Sequence, residues 1–230
     1  MELVDATTLD KRIPKNYGDI VHIFHQVAQG LMHMHGRGFV HADMKPTNVL
    51  VLEDLSVRII DLGQACSIGT VKPRIQGTPG YIAPEQARRG EITPQTDIYN
   101  LGAMMYWVLV RDVIPTALPP SSSEGADAAS VREDHEIKLP TPPHEQNPLI
   151  HPLLSQQIMD CIQLDPADRP ESMDVVANRA ALGMIDAADS STIPTAGAGA
   201  GAGAGASTRA ATARPRKRAR TGDDSTEQSG

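Results

Sequence analysis

The stretch His41-Ala-Asp-Met-Lys-Pro-Thr-Asn48 puts a carboxylate at position 43, an ammonium at 45 and a carboxamide at 48. These are residue types that take a hydrogen bond from a hydroxyl, meet an anion, and offer an oxygen to a hard cation. Alone the triplet says little, because three polar residues in a loop after a helix are commonly just surface. The downstream residues give it weight. Asp61-Leu-Gly63 comes directly after an apolar run at residues 57–60. Gly77-Thr-Pro-Gly-Tyr-Ile-Ala-Pro-Glu85 is next, then Asp97-Ile-Tyr-Asn-Leu-Gly102, then Arg169. Five such signals in one fixed order do not arise by chance. Position 42, between the His and the Asp, is an alanine and has no polar side chain to contribute.

The elements that must position these residues are mostly helical. Ile20, Ile23, Phe24, Val27, Leu31 and Met34 fall on one stripe and predict a helix over 19–35, ended by Gly36 and Gly38. The short runs at 39–40, 49–51 and 57–60 have β character and read as small hairpins on a helical body. Residues 97–111 predict a buried helix; its apolar run at 101–110 is about half of what a membrane span needs. Residues 115–152, rich in Pro and Ser, are expected to form a long, partly mobile loop with few apolar anchors. Helical pattern returns at 153–164 and 171–182, on either side of the turn Asp165-Pro-Ala-Asp-Arg-Pro170.

The bulk numbers limit what the chain does. Of 230 residues, 40% are apolar, enough for one core plus tails. The formal charge of −7 is unevenly spread: residues 207–230 hold six Lys/Arg and three Asp/Glu, a net +3, which leaves −10 on residues 1–206. An acidic body argues against a nucleic-acid-binding domain and favours basic partners. The two cysteines, Cys66 and Cys161, lack a Cys-x-x-Cys spacing and read as reduced thiols of a cytoplasmic protein, with a single disulfide as the less favoured alternative. No signal-peptide pattern opens the sequence, and no membrane partner is expected. Residues 196–206 alternate Ala and Gly, a low-complexity linker expected to lack order. Arg214-Pro-Arg-Lys-Arg-Ala-Arg220 beyond it reads as a nuclear-import signal, a polyanion contact or a solubilising tail.

Over roughly residues 1–185 the motifs resemble those of the eukaryotic-type (Hanks-type) serine/threonine protein kinases. The family signatures are H-R-D-x-K-x-x-N, D-F-G and A-P-E, matched by His41-Ala-Asp43-Met-Lys45-Pro-Thr-Asn48, Asp61-Leu-Gly63 and Ala83-Pro-Glu85. The Lys45-Pro46 pair and Gly77-Thr-Pro are similar to the serine/threonine branch. The resemblance implies a mainly α (α+β) fold, the large lobe of a kinase, with a helical body and short β-hairpins. It also implies ATP-dependent phosphoryl transfer to protein Ser/Thr, where catalysis is positioning plus charge neutralisation. Asp43 would orient the acceptor hydroxyl and Lys45 would contact the γ-phosphate. Asn48 and Asp61 would hold Mg²⁺, Leu50 would lie beneath the adenine, and Thr78 would bond to Asp43 and help place the acceptor. His41 would be a packing histidine, Asp97 would hold the catalytic loop from below, and Glu85 with Arg169 would form a structural ion pair. His22, His25, His33 and His35 read as partly exposed helix residues, since no H-E-x-x-H or carboxylate at ligand spacing accompanies them.

Two departures from the family pattern stand out. Ala42 replaces the Arg that in most kinases is held by an activation-loop phosphate. No G-x-G-x-x-G or V-A-I-K precedes Asp43, and Met1-Glu-Leu-Val is similar to the hinge between lobes. The small lobe is therefore expected to be missing, the sequence being either a fragment or truncated reading frame or a genuine large-lobe-only protein. This chain, taken alone, is expected to be nearly inactive. The expected organisation is a kinase large lobe at 1–185, an Ala/Gly-rich linker at 186–206 and a basic tail at 207–230. A non-catalytic lobe used as a scaffold is the alternative to an enzyme; the intact Asp43, Lys45, Asn48 and Asp61 favour the enzyme. Protein substrates are expected, with basic residues around the acceptor.

Overall fold

A computed structural model describes residues 6–115 and 139–187, with side chains described up to Ala180 in the last helix. The hinge-like opening, most of the Pro-rich stretch, the Ala/Gly linker and the basic tail lie outside the described residues.

The first long helix, α1 (Tyr17–His35), starts where the Asn16 side chain accepts the Gly18 N–H at 2.7 Å, with Asp19 in its first turn. Its apolar stripe buries Ile20, Ile23, Phe24, Val27 and Leu31, as the spacing predicts. Each such side chain removed from water contributes about 1.5–3 kcal/mol. This face packs against the last helix, α6 (Met173–Ala187). The central helix, α3 (Pro94–Val110), is apolar nearly all round and correspondingly buried on nearly all sides. Pro94 sits in its first turn, where the missing N–H costs nothing. Gly102 lets α5 (Pro152–Cys161) approach closely: a Cβ there would lie 2.6 Å from the Cys161 Cβ. α1, α3, α5 and α6 together enclose one core, which Val49 and Val51 join from the sheet.

Short strands lie on this body. β1 (Ala6–Thr8), β3 (Val49–Leu52) and β4 (Val57–Ile59) form an antiparallel sheet in the order β1-β3-β4, with Thr8 opposite Leu50 and Leu50 opposite Arg58. β2 (Phe39–Val40) pairs with β5 (Cys66–Ser67), and β6 (Thr70–Val71) with β7 (Glu91–Ile92). Among the described residues only β3–β4 is a hairpin. The other ladders join distant segments, so the expectation of hairpins alone needs correction. Runs of two or three residues carry no periodicity that would announce their partners. A second correction concerns residues 139–152. They are anchored, with a short helix α4 (Pro143–Gln146) and buried Pro143 and Ile150.

Candidate active site

The segment from His41 to Asn48 runs between β2 and β3, and Asp61 leaves the chain just after β4. Ile60 N–H donates to the Asn48 carbonyl at 3.0 Å, which ties the two segments side by side. From Leu62 the chain passes through β5 and β6 to Gly77-Thr78 and ends in the short helix α2 (Pro84–Ala87).

Asp43, 8% exposed, is the meeting point. Its Oδ1 accepts the Thr78 hydroxyl at 2.8 Å, and its Oδ2 lies 3.0 Å from the Lys45 ammonium. Lys45 also donates to Thr78 Oγ1 at 2.9 Å, closing a triangle of carboxylate, ammonium and hydroxyl. Asn48 Nδ2 donates to the Asp43 carbonyl at 2.8 Å. With its nitrogen so engaged, Asn48 is left with its amide oxygen, a hard donor. Asp61, exposed and in the left-handed region at φ 62°, is held by a 3.2 Å bond from the Gly63 N–H to its Oδ1. No ion pair among the described residues engages it. An amide oxygen and a carboxylate are the two-ligand set that suits Mg²⁺, which keeps waters and substrate oxygens in its other positions. Leu50 is half-buried on the middle strand β3, one residue beyond Val49.

A second layer fixes this group from beneath. Asp97, fully buried on α3, accepts the backbone N–H of His41 at 2.9 Å and of Ala42 at 2.8 Å. It also lies 2.8 Å from His35 Nε2 at the end of α1. Ala42 has φ 61°, a left-handed conformation costing an L-residue about 1–2 kcal/mol. Bonds to a buried carboxylate, each worth about 1.5–3 kcal/mol, outweigh that. His41 accepts the Asp43 N–H at Nδ1 (3.3 Å), so its Nε2–H donates to the Ile60 carbonyl at 3.3 Å. The ring thus bridges the segments carrying Asp43 and Asp61.

Glu85 and Arg169 form a bidentate pair at 2.8 and 2.9 Å. The Arg169 guanidinium also donates to the carbonyls of Gln95 and Gln163, each at 2.8 Å, and stacks 5.0 Å over the Tyr99 ring. Burial pushes the Tyr99 hydroxyl up to about 12, with Glu85 adding to the shift and Arg169 opposing it. Burial, then Asp10, likewise pushes Tyr81 up to about 12, so this hydroxyl stays neutral.

Eight of the ten residues singled out in the sequence therefore fall into two bonded groups; Leu50 and Asp61 lie beside them, with no side-chain contact to the Asp43 triangle. Three further residues belong to these groups, of which only Asn100 lies inside a motif, the stretch Asp97–Gly102. His35, a partly exposed helix residue by its sequence, bonds to Asp97. Gln86 and Asn100 bond to each other at 3.0 Å in the interior. Gln86 directly follows Ala83-Pro-Glu85, and that adjacency is the one signal the sequence offers for it.

Comparison with known proteins agrees with this geometry. The family described as "Protein kinase domain" matches residues 1–179. The chain is 32% identical over 192 residues to serine/threonine-protein kinase pkn3 of Myxococcus xanthus, covering 77% of this chain and 33% of that protein. It is 30% identical over 189 residues to Pkn1 of the same organism, covering 77% and 26% respectively. It is 29% identical over 180 residues to PknB of Mycolicibacterium smegmatis, covering 74% and 27%. The chain spans a third or less of the length of these relatives. With motifs, geometry and relatives in agreement, the chain belongs to the protein kinase domain family.

Proposed function

We propose that the chain carries the catalytic large lobe of a serine/threonine protein kinase, transferring the γ-phosphoryl group of ATP to a protein hydroxyl. The observation that carries this is the triangle of Asp43, Lys45 and Thr78, with sides of 2.8, 2.9 and 3.0 Å, on a loop pinned by Asp97. In a loose phosphoryl transfer there is little covalent work for the protein, and positioning with charge neutralisation supplies the rate. Asp43 accepts the hydrogen bond of the incoming hydroxyl and aims its oxygen at the γ-phosphorus. As that bond forms, the bond to the bridging oxygen breaks, ADP leaves, and the proton passes to Asp43 and on to solvent. Lys45 neutralises Asp43 in the resting site and lies close enough to turn to the transferring group. Mg²⁺, held by the Asn48 amide oxygen and the Asp61 carboxylate, would neutralise charge on the phosphates. Leu50, beside this loop, is the proposed floor for adenine.

The same reading takes residues 1–185 as the lobe, 186–206 as a linker and 207–230 as a basic tail. The charge of −10 on residues 1–206 supports substrates with basic residues around the acceptor. The deciding experiment measures transfer from labelled ATP to protein and basic-peptide substrates by this chain completed with a kinase small lobe. Asp43→Asn is expected to abolish transfer while ATP still binds. Near wild-type transfer by that variant removes Asp43 from its role.

A further inference from the structure

Gln86 is buried, at 3% exposure, and its amide touches four groups. Its Oε1 accepts the Ala83 backbone N–H at 2.9 Å and Asn100 Nδ2 at 3.0 Å. Two donors converging on one atom settle which end of the amide is oxygen. The nitrogen therefore faces the other way, toward the carbonyls of Ala42 at 2.8 Å and Gln76 at 3.4 Å. Ala42 immediately precedes Asp43, and Gln76 precedes Thr78 by two positions. The amide thus spans the two segments that deliver the carboxylate and the hydroxyl joined at 2.8 Å.

The peptide between Ala42 and Asp43 is held at both ends. Gln86 takes its carbonyl, and His41 Nδ1 takes its N–H at 3.3 Å. Since Ala42 is left-handed at φ 61°, an unheld peptide would relax toward the ordinary regions of φ/ψ space. That rotation would swing the Asp43 carboxylate away from Thr78. The Ala42 side chain offers no donor to resist it; it packs with Val40 and Ile92, with Cys66 alongside.

We propose that Gln86 is a positioning residue for phosphoryl transfer, a single amide that sets the aim of Asp43 and the placement of Thr78 together. This rests on the kinase reading above. It assigns to Gln86 the link between catalytic loop and activation segment that an alanine at position 42 cannot make through its side chain.

The test uses this chain completed with a kinase small lobe, with Gln86→Met, which keeps the length but loses both donors, and Gln86→Glu. An ionised Glu would set a carboxylate oxygen against two carbonyls; a protonated one can donate to one of them. Amide hydrogen exchange in residues 41–45 and 76–80 is expected to quicken roughly tenfold or more in Gln86→Met, with α1 and α6 unchanged. kcat is expected to fall roughly tenfold or more in both variants with KM for ATP within about twofold. The loss in Gln86→Glu shrinks as pH falls and the carboxyl regains its proton, whereas the loss in Gln86→Met does not. Wild-type exchange and kcat in Gln86→Met overturn the proposal. So does faster exchange spread evenly through α1 and α6, which marks an ordinary core residue. If the wild-type chain completed with a small lobe transfers no phosphoryl group, the kinase reading fails, and the exchange measurement still decides whether Gln86 holds the loop.

Discussion

Asp97 accepts the backbone N–H of Ala42 at 2.8 Å from a helix 55 positions further along the chain. The contact uses only backbone on the Ala42 side, so the loop that carries Asp43 keeps its shape without an arginine at position 42. The conformation needed there is left-handed, and the carboxylate beneath it supplies the stabilisation that makes it tolerable.

Asp97→Asn tests this support. The amide keeps the volume but replaces one acceptor oxygen by a donor that faces backbone N–H groups or the His35 ring. The expected loss is about 1–3 kcal/mol of stability, read as a lower urea midpoint with an unchanged slope. Transfer activity is expected to fall with it. An unchanged midpoint contradicts the role given to Asp97.

Activation is expected not to depend on phosphate. Between Gly63 and Thr78 the hydroxyl acceptors are Ser67 and Thr70, and both sit in strand pairs. Lys72, a cation of the same segment, donates to the Gln64 carbonyl at 2.5 Å and is buried. Phosphatase treatment of the chain completed with a small lobe, and separately the Ser67→Ala/Thr70→Ala double variant, are expected to leave basal activity nearly unchanged. A loss of about tenfold or more, equivalent to roughly 1.4 kcal/mol in the barrier, contradicts it.

Glu85→Ala leaves the Arg169 guanidinium, whose side chain is fully buried, without its bidentate partner. Removing one side of such a pair costs about 3–5 kcal/mol, a large share of the roughly 5–15 kcal/mol that holds a typical domain together. Chemical denaturation is expected to show this loss, and Arg169→Lys a substantial part of it. Lysine can neither bond bidentately nor stack on Tyr99 as a plane.

The two thiols are expected to behave differently. Burial, with Asp160 adding to it, pushes Cys161 up to about 12, while Cys66 is half-buried on β5. A thiol reagent near pH 8 is expected to modify one thiol in the native protein and the second only on unfolding. Cys66→Ser is expected to abolish the native reaction. The folded state holds the Cys161 proton well above the ordinary 9.0 of an unfolded thiol. That contribution to stability is therefore complete below pH 9.0 and lost as pH rises toward 12, because only the unfolded state releases the proton there. Thermal melts across that range are expected to show a falling Tm.

Sequence alone determined the four long helices and the identity of the chemical groups. The stripe from Ile20 to Leu31 is a periodic property of consecutive residues, and the order of Asp43, Asp61, Glu85, Asp97 and Arg169 is a linear one. Both are legible without coordinates, because helical period and motif spacing are local. The partners of β2, β5, β6 and β7 were not legible, since two residues cannot encode a register with a segment tens of positions away. Nor were the roles of His35, Gln86 and Asn100. A buried glutamine looks like any other glutamine in a string, and its function comes from four groups on distant segments meeting one amide. The consequence of Ala42 was likewise decided in three dimensions. Its absent side chain is visible in the sequence, but the backbone clamp that makes the loss tolerable exists only where α3, α2 and the catalytic loop come together.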